Sequence, residues 1–253
     1  ILHGVAGLCL CVAGLRHGAI RFRADGVSGA HATLMALAAL TLVLPVYTIS
    51  TPGPTYSPAQ LGFAAVASLG LYGAFVFVQT IRHRDLFTDP DADHSHGAPR
   101  PSAKETGWAA LFLVLGIAVV AGLAKTLAPT LDAAVADAGL PRSVVGLAIA
   151  LLILLPETGS AVRAAAANRM QRALNLALGS ALATIGLTIP IVAAASMALG
   201  RPLALGLGPK EMVFLVLTGF TSAITLSSGR STLLAGAVHL VLFLAYAFLV
   251  VVP

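Results

Sequence analysis

The chain has 253 residues, of which 58% are hydrophobic and only 10% are charged, and its formal net charge is +5. A soluble domain carries roughly 25% charged residues, so this composition excludes a soluble globular protein. It also argues against a nucleic-acid partner, because a membrane-embedded chain offers no soluble basic face to hold one.

Eight apolar stretches follow one another along the chain. The first, 1–15, begins inside apolar sequence without a start Met or a signal-type cleavage site, so we interpret Ile1 as a cut point. The other stretches are long enough to cross a bilayer as helices of about 20 residues. They are 31–49, 59–80, 107–128, 143–162, 173–199, 212–228 and 233–252. The sequence therefore predicts an all-α integral membrane protein surrounded by lipid.

The basic residues are concentrated in alternate loops. Most of the Lys and Arg residues fall in 16–30, 81–106, 163–172 and 229–231, whereas 50–58 contains none. Cytoplasmic loops carry such an excess, so we predict that these four segments face the cytoplasm. The chain is then a multi-pass protein of the cell membrane, which is the inner membrane if the source is bacterial.

A polar segment, 82–106, interrupts the apolar pattern. It is rich in Asp, His, Pro and Ser and has no periodicity, so we interpret it as a solvated cytoplasmic linker. It separates three helices in 1–81 from five helices in 107–253. A cation-sensing role stays open for its carboxylates and imidazoles, although their spacing matches no defined site. These residues are Asp89, Asp91, Asp93, His94 and His96.

The stretch 156–190 places a carboxylate, Glu157, deep in apolar sequence, whereas every other carboxylate lies in a loop or near the edge of a span. A charge buried in lipid costs at least about 3 kcal/mol, so such a residue indicates a functional site. With a turn near Asn168, Glu157 and Ser180 lie 11 and 12 residues from it on adjacent antiparallel helices. Both are then roughly 16 Å deep, which predicts that they meet.

Polar and small residues surround this acid in the sequence. Pro156 frees a backbone carbonyl, and Gly179 allows close helix approach. Asn175 and Ser180 offer side-chain oxygens, which hard cations prefer, so with Glu157 they form a candidate cation- and proton-binding set, with Thr184 as support. Alternatives stay open: Asn175 as an interhelical hydrogen-bonding group, and Ser180 or Thr184 bonded back to their own helix.

Three other polar residues lie in or next to apolar stretches. Arg163 is predicted to extend toward the cytoplasmic surface and not to pair with Glu157. His239 and His3 are interpreted as packed histidines, with a proton-relay role for His239 as the alternative.

The string LLPETGSAVRAAAANRMQRALNLALGSALATIGLTIP resembles the second α-repeat of the cation/calcium exchanger superfamily. It is most similar to the ChaA-like branch of sodium-potassium/proton and calcium/proton antiporters. Residues 4–17 and 41–85 fit the same branch, so the resemblance covers nearly the whole chain. It implies an inverted-repeat fold of ten helices, of which about eight are present here. It also implies that Glu157 is the cation- and proton-binding acid of that repeat.

The resemblance implies secondary active transport, in which Na⁺, K⁺ or Ca²⁺ is exchanged for protons without a cofactor. The sequence departs from the family at Ile153 and Leu154, where sodium/calcium exchangers place Thr-Ser, and at Ala183, where calcium/proton exchangers often have Gln. Fewer side-chain ligands leave sodium or potassium open as the substrate. An enzyme is not expected, because there are no paired aspartates and no HExxH motif. The alternatives are an inactive fragment or a non-transporting scaffold, and a homo-oligomer stays open.

Overall fold

The computed structural model describes residues 1–89 and 102–253 of the chain, and this part is predominantly helical. The helices are α1 (Leu2–His17), α2 (Ala24–Ala38), α3 (Leu44–Tyr47), α4 (Pro58–Phe77), α5 (Ala103–Asp137), α6 (Ser143–Ala166), α7 (Met170–Leu199), α8 (Pro209–Ser227) and α9 (Leu233–Val251). Two short strands, β1 (Ile20–Arg21) and β2 (Arg230–Ser231), pair antiparallel. Within this part, seven helical segments are long and apolar enough to cross a membrane, and α1 is a shorter apolar helix. The predicted all-α membrane class is confirmed.

The boundaries of two predicted spans were wrong. The helix predicted over 107–128 continues to Asp137, because the Ala-rich segment after Pro129 favours helix and Pro129 does not end it. The helix predicted from residue 31 starts at Ala24, since Asp25 lies favourably in its first turn, where the helix dipole attracts negative charge. Hydropathy locates apolar residues and not helix ends.

Helices α2 and α3 form one spanning segment, Ala24–Tyr47, with a π-helical turn at Ala39–Val43. Pro45 lies just after this turn and has no N–H group to give to the carbonyl of Thr41, so the regular helix ladder is interrupted there. The hydroxyl of Thr41 is fully buried and donates to the Leu37 carbonyl at 2.8 Å, which satisfies it within its own helix.

The larger of two compact units comprises Leu2–Pro90 and Glu157–Phe243. Its apolar core is centred on one stripe of α7, where Leu174, Leu178 and Leu182 are buried and pack with residues of α1, α2 and α4. The smaller unit comprises Ile1, Asp91–Pro156 and Leu244–Pro253. Within it, the Ser143 hydroxyl donates to the Val250 carbonyl at 3.3 Å.

Three contacts bring the basic segments of the larger unit to one end. The amide of Phe22 donates to the Gly229 carbonyl at 3.0 Å, and a ring nitrogen of His17 lies 3.0 Å from the Ala166 carbonyl. The side chain of Gln171 donates to the Leu86 carbonyl at 3.4 Å. The segments that were predicted to share one side of the membrane therefore lie together, and their cytoplasmic assignment stays a prediction.

The loops at the opposite end also meet. Thr55 and Ala204 form an isolated antiparallel bridge, and the amide of Leu205 donates to the Pro54 carbonyl at 3.1 Å. The predicted linker falls partly outside the described residues, as do four residues of its suggested cation-sensing group: Asp91, Asp93, His94 and His96. The division into 1–81, 82–106 and 107–253 stays a prediction.

Candidate functional site

The site is built on the α6–α7 hairpin. Helix α6 ends at Ala166 and α7 begins at Met170, with Asn168 between them at φ 59°. Asn is among the few residues other than Gly that enter this left-handed region readily, so it suits a tight reversal between helices. The amide of Arg169 donates to the Ala164 carbonyl at 2.9 Å and closes the turn. The predicted turn position at Asn168 is confirmed.

The hairpin brings Glu157 and Ser180 into contact. The Ser180 hydroxyl donates to a carboxylate oxygen of Glu157 at 2.6 Å, a length typical of hydrogen bonds to an ionised carboxylate. Ser180 is half-buried, and Glu157 lies on the surface of the described chain. The contact that the equal depth of the two residues predicts is therefore present in the structure. The role of these residues in binding a cation stays a prediction.

Asn175 is engaged elsewhere. Its amide nitrogen donates to the Phe87 carbonyl at 2.6 Å, and its oxygen accepts a bond from the side chain of Gln171 at 3.1 Å. The first contact holds the short 3-10 segment Arg84–Phe87 against α7, and the second lies within α7 itself. Among the described residues, Asn175 thus bonds to its own helix and to the Arg84–Phe87 segment and not to Glu157, and its part in cation binding stays a prediction.

Gln171 is a structural residue that the sequence reasoning missed. It is fully buried, accepts a bond from the Arg23 amide at 2.7 Å, and donates toward Leu86 and Asn175. A buried amide needs such partners, because an unpaired polar group in the interior is costly. The only sequence indication was its position four residues before Asn175 on the same helix face.

Thr184, Gly179 and Pro156 were predicted to support the acid. The Thr184 hydroxyl donates to the Ser180 carbonyl at 2.9 Å, so it is bonded to its own helix and not to the acid. At Gly179 an added Cβ would meet nothing within 4 Å among the described residues. Pro156 lies inside α6 directly before Glu157. The guanidinium of Arg163 donates to Ser160 at 3.3 Å on the same helix, as expected for a residue that does not pair with Glu157.

Residues 1–89 and 102–253 hold no cluster of three or more His, Cys, Asp or Glu side chains that could bind a metal. Within the α6–α7 hairpin, the observed contact offers one carboxylate, that of Glu157, and the hydroxyl of Ser180.

A family model described as sodium/calcium exchanger protein matches residues 108–252, which include the whole α6–α7 hairpin. The protein y4hA of Sinorhizobium fredii (strain NBRC 101917 / NGR234) is 46% identical over 253 residues, which is all of this chain and 69% of that protein. The sodium-potassium/proton antiporter ChaA of Escherichia coli (strain K12) is 37% identical over 84% of this chain and 59% of its own length. The Ca²⁺/H⁺ antiporter of Aphanothece halophytica is 26% identical over 98% of this chain and 71% of its own length.

A solved structure, that of native YfkE, superposes with a TM-score of 0.70 and 19% sequence identity. The match covers all of this chain and 71% of that one, and it shows a shared fold. This chain spans 59% of the length of ChaA and 69% of that of y4hA.

Proposed function

Since the chain belongs to the sodium/calcium exchanger family, we propose that it exchanges a cation for protons across a membrane. A member of this family is a transporter and not an enzyme, in agreement with the sequence analysis. The membrane in which it works is proposed to be the cell membrane, the inner one in a bacterium.

The contact between Glu157 and Ser180 carries the proposal. A carboxylate can hold either a proton or a cation, and it holds them in competition because each removes the negative charge that attracts the other. Ser180 donates to the empty carboxylate and presents the same oxygen to a cation that replaces the hydrogen bond. Alternating exposure of one such site to the two sides of the membrane would couple the two fluxes.

The relatives' names include both monovalent and divalent substrates: sodium and potassium for ChaA, and calcium for the protein of Aphanothece halophytica. We favour sodium or potassium here. Calcium takes 6–8 oxygen ligands, often from several carboxylates. The α6–α7 hairpin offers Glu157 and Ser180, while Ile153, Leu154 and Ala183 supply no oxygen from their side chains.

A second candidate is a non-transporting scaffold of the same fold or an inactive fragment. The exposure of Glu157, together with the lack of a three-residue ligand cluster among the described residues, is the observation that favours it. The two candidates differ in whether a change at Glu157 has any effect on ion flux.

The test is the variant Glu157→Gln, which keeps the shape of the side chain and cannot ionise. Exchange is followed in everted membrane vesicles with a pH-sensitive dye after addition of sodium, potassium or calcium. We expect the variant to insert normally and to show no exchange. The matched control is Glu211→Gln, the same change in the first turn of α8, which should exchange like the wild type. Wild-type rates in Glu157→Gln would contradict the proposal, and absence of exchange in the wild type would favour the scaffold.

A further inference from the structure

A second polar cluster lies among the membrane-embedded helices, on α1, α8 and α9. The Nδ1 atoms of His3 and His239 are 2.8 Å apart. The Nε2 atom of His3 lies 3.1 Å from the Ser222 hydroxyl, and the Nε2 atom of His239 lies 3.1 Å from the Thr225 hydroxyl. The four side chains therefore form one continuous hydrogen-bonded chain, which we term the histidine chain: Ser222, His3, His239 and Thr225.

The environment of the histidine chain is apolar. His239 and Ser222 are buried, and a cavity of about 10 Å³, room for roughly one water molecule, lies beside the two imidazoles. Its other walls include Leu174 and Leu178 of α7. Polar groups placed in such surroundings are costly unless they are paired, and in membrane proteins they commonly mark ion or proton paths.

The distance between the two Nδ1 atoms fixes the protonation of the pair. A hydrogen bond between two ring nitrogens needs one donor and one acceptor, so one Nδ1 carries a proton and the other does not. When both rings are neutral, they must be opposite tautomers. Two arrangements satisfy all four ring nitrogens: in one the chain of donors runs from Ser222 to Thr225, and in the other it runs from Thr225 to Ser222.

We propose that the histidine chain is a proton relay, separate from Glu157. In the first arrangement, a proton delivered to the Ser222 oxygen displaces the Ser222 hydroxyl proton onto Nε2 of His3. The Nδ1 proton of His3 then moves to Nδ1 of His239, and the Nε2 proton of His239 moves to the Thr225 oxygen, which releases its own proton. A hydronium ion gives the entering proton to Ser222 and becomes water, and a water molecule takes the proton that Thr225 releases. The step is thus balanced, and the chain ends in its second arrangement.

The relay lies on another side of α7 from the candidate cation site. The cavity beside the histidines meets Leu174, Ala177 and Leu178, whereas Ser180 contacts Glu157. At 100° per residue, Leu174 and Leu178 lie about 120–160° around α7 from Ser180, so the two sites use different faces of this helix.

Other titratable groups of the packed helices are few near the pair. They are His31 on α2, the thiols Cys9 and Cys11 on α1, and, toward the helix ends, the Ile1 amine, Arg16, His17, Asp25, Arg172, Lys210, Glu211 and Tyr246. A ring nitrogen of His31 lies 3.0 Å from the Gly219 carbonyl, which can only accept, so His31 is a fixed Nε2–H tautomer.

The test is nuclear magnetic resonance of the full chain in lipid nanodiscs, with ¹⁵N-labelled histidine and near-neutral pH. If protons move along the chain, the ring nitrogens of His3 and His239 should give shifts between the protonated and unprotonated limits. His31, a fixed tautomer in the same sample, should give one nitrogen at each limit. These nitrogen shifts do not depend on exchange activity. The relay can therefore be refuted while the proposed function stands, and the proposed function can be refuted while the relay stands.

A matched pair of variants sharpens the test. Thr225→Val removes one end of the chain and should shift Nδ1 of His239 to the protonated limit, because its Nε2 proton has lost its acceptor. Thr33→Val, where the hydroxyl bonds to the Gly29 carbonyl of its own helix, should change nothing. Ring nitrogens of the wild type that already lie at the limits and do not respond to Thr225→Val would overturn the relay. Two fully protonated rings would also overturn it, since two Nδ1–H groups cannot face each other at this distance.

Discussion

Removal of the Ser180 hydroxyl should weaken cation binding without abolishing exchange. In Ser180→Ala the carboxylate of Glu157 loses a donor at 2.6 Å and a cation loses one oxygen ligand. Hydrogen bonds to charged groups contribute about 1.5–3 kcal/mol, and the exposure of Glu157 favours the lower end of that range. A value near 1.4 kcal/mol corresponds to a factor of about ten. The lost donor destabilises the empty carboxylate and so favours proton and cation binding alike. The lost ligand penalises the cation-bound state alone, so the variant favours the proton over the cation.

The measurement is the cation concentration that gives half-maximal exchange in everted vesicles, at one fixed pH. We expect this concentration to rise about tenfold in Ser180→Ala, with a maximal rate that stays within a few-fold of the wild type. Thr184→Val is the matched control: it removes a hydroxyl one turn further along α7 that bonds only to the Ser180 carbonyl in this structure. It should shift the half-maximal concentration less than twofold by this reasoning.

Two results would refute this reasoning. An unchanged half-maximal concentration in Ser180→Ala would mean that the hydroxyl takes no part in cation binding. An equal rise of the half-maximal concentration in Thr184→Val would mean that loss of any hydroxyl on α7 perturbs the helix. The effect of Ser180→Ala could then not be attributed to the contact between Ser180 and Glu157.

Three further predictions concern the pH dependence of cation affinity, the packing at Gly186 and the hydrogen bond from Asn175 to Phe87. If one carboxylate serves both ions, apparent cation affinity should fall by up to about tenfold per pH unit as the pH is lowered, and a pH-independent affinity would remove Glu157 from the coupling step. Gly186→Ala should lower stability by about 1–3 kcal/mol, because its Cβ would lie 2.7 Å from Cβ of Tyr72. Gly73→Ala, where an added Cβ meets nothing within 4 Å, should not lower it, and thermal unfolding of both variants distinguishes them. Asn175→Ala should lower the melting temperature by leaving the Phe87 carbonyl unpaired, with little change in cation affinity; a selective loss of affinity would restore Asn175 as a ligand.

The sequence predicted the spans and the contact between Glu157 and Ser180 for the same reason. A membrane requires long apolar helices, and a short turn makes neighbouring helices antiparallel, so depth can be counted in residues from the turn. The contact then needed only the position of Asn168, where a left-handed residue is well tolerated.

Contacts that depend on distant parts of the chain were not predictable in this way. Asn175 meets Phe87, 88 positions away in a segment that had no periodicity and was interpreted as a solvated linker. His3 and His239 lie 236 positions apart, and each one alone is an ordinary packed histidine. Their pairing depends on the register between α1 and α9, where Gly7 and Leu240 approach so closely that a Cβ on Gly7 would lie 2.9 Å from the Leu240 amide nitrogen. Residue type does not encode that register locally.

The distribution of contacts around α7 limits how the candidate site can move. At 100° per residue, Gln171, Asn175 and Gly186 share one side of the helix, while Ser180 lies about 140–180° away from Gln171 and Asn175. The first three are fixed by buried hydrogen bonds or by close packing against Tyr72. A rotation of α7 that withdrew Ser180 from Glu157 would break these contacts together. Changes at the carboxylate should therefore be taken up by α6, or by α7 moving as a rigid body with α4 and the segment Arg84–Phe87.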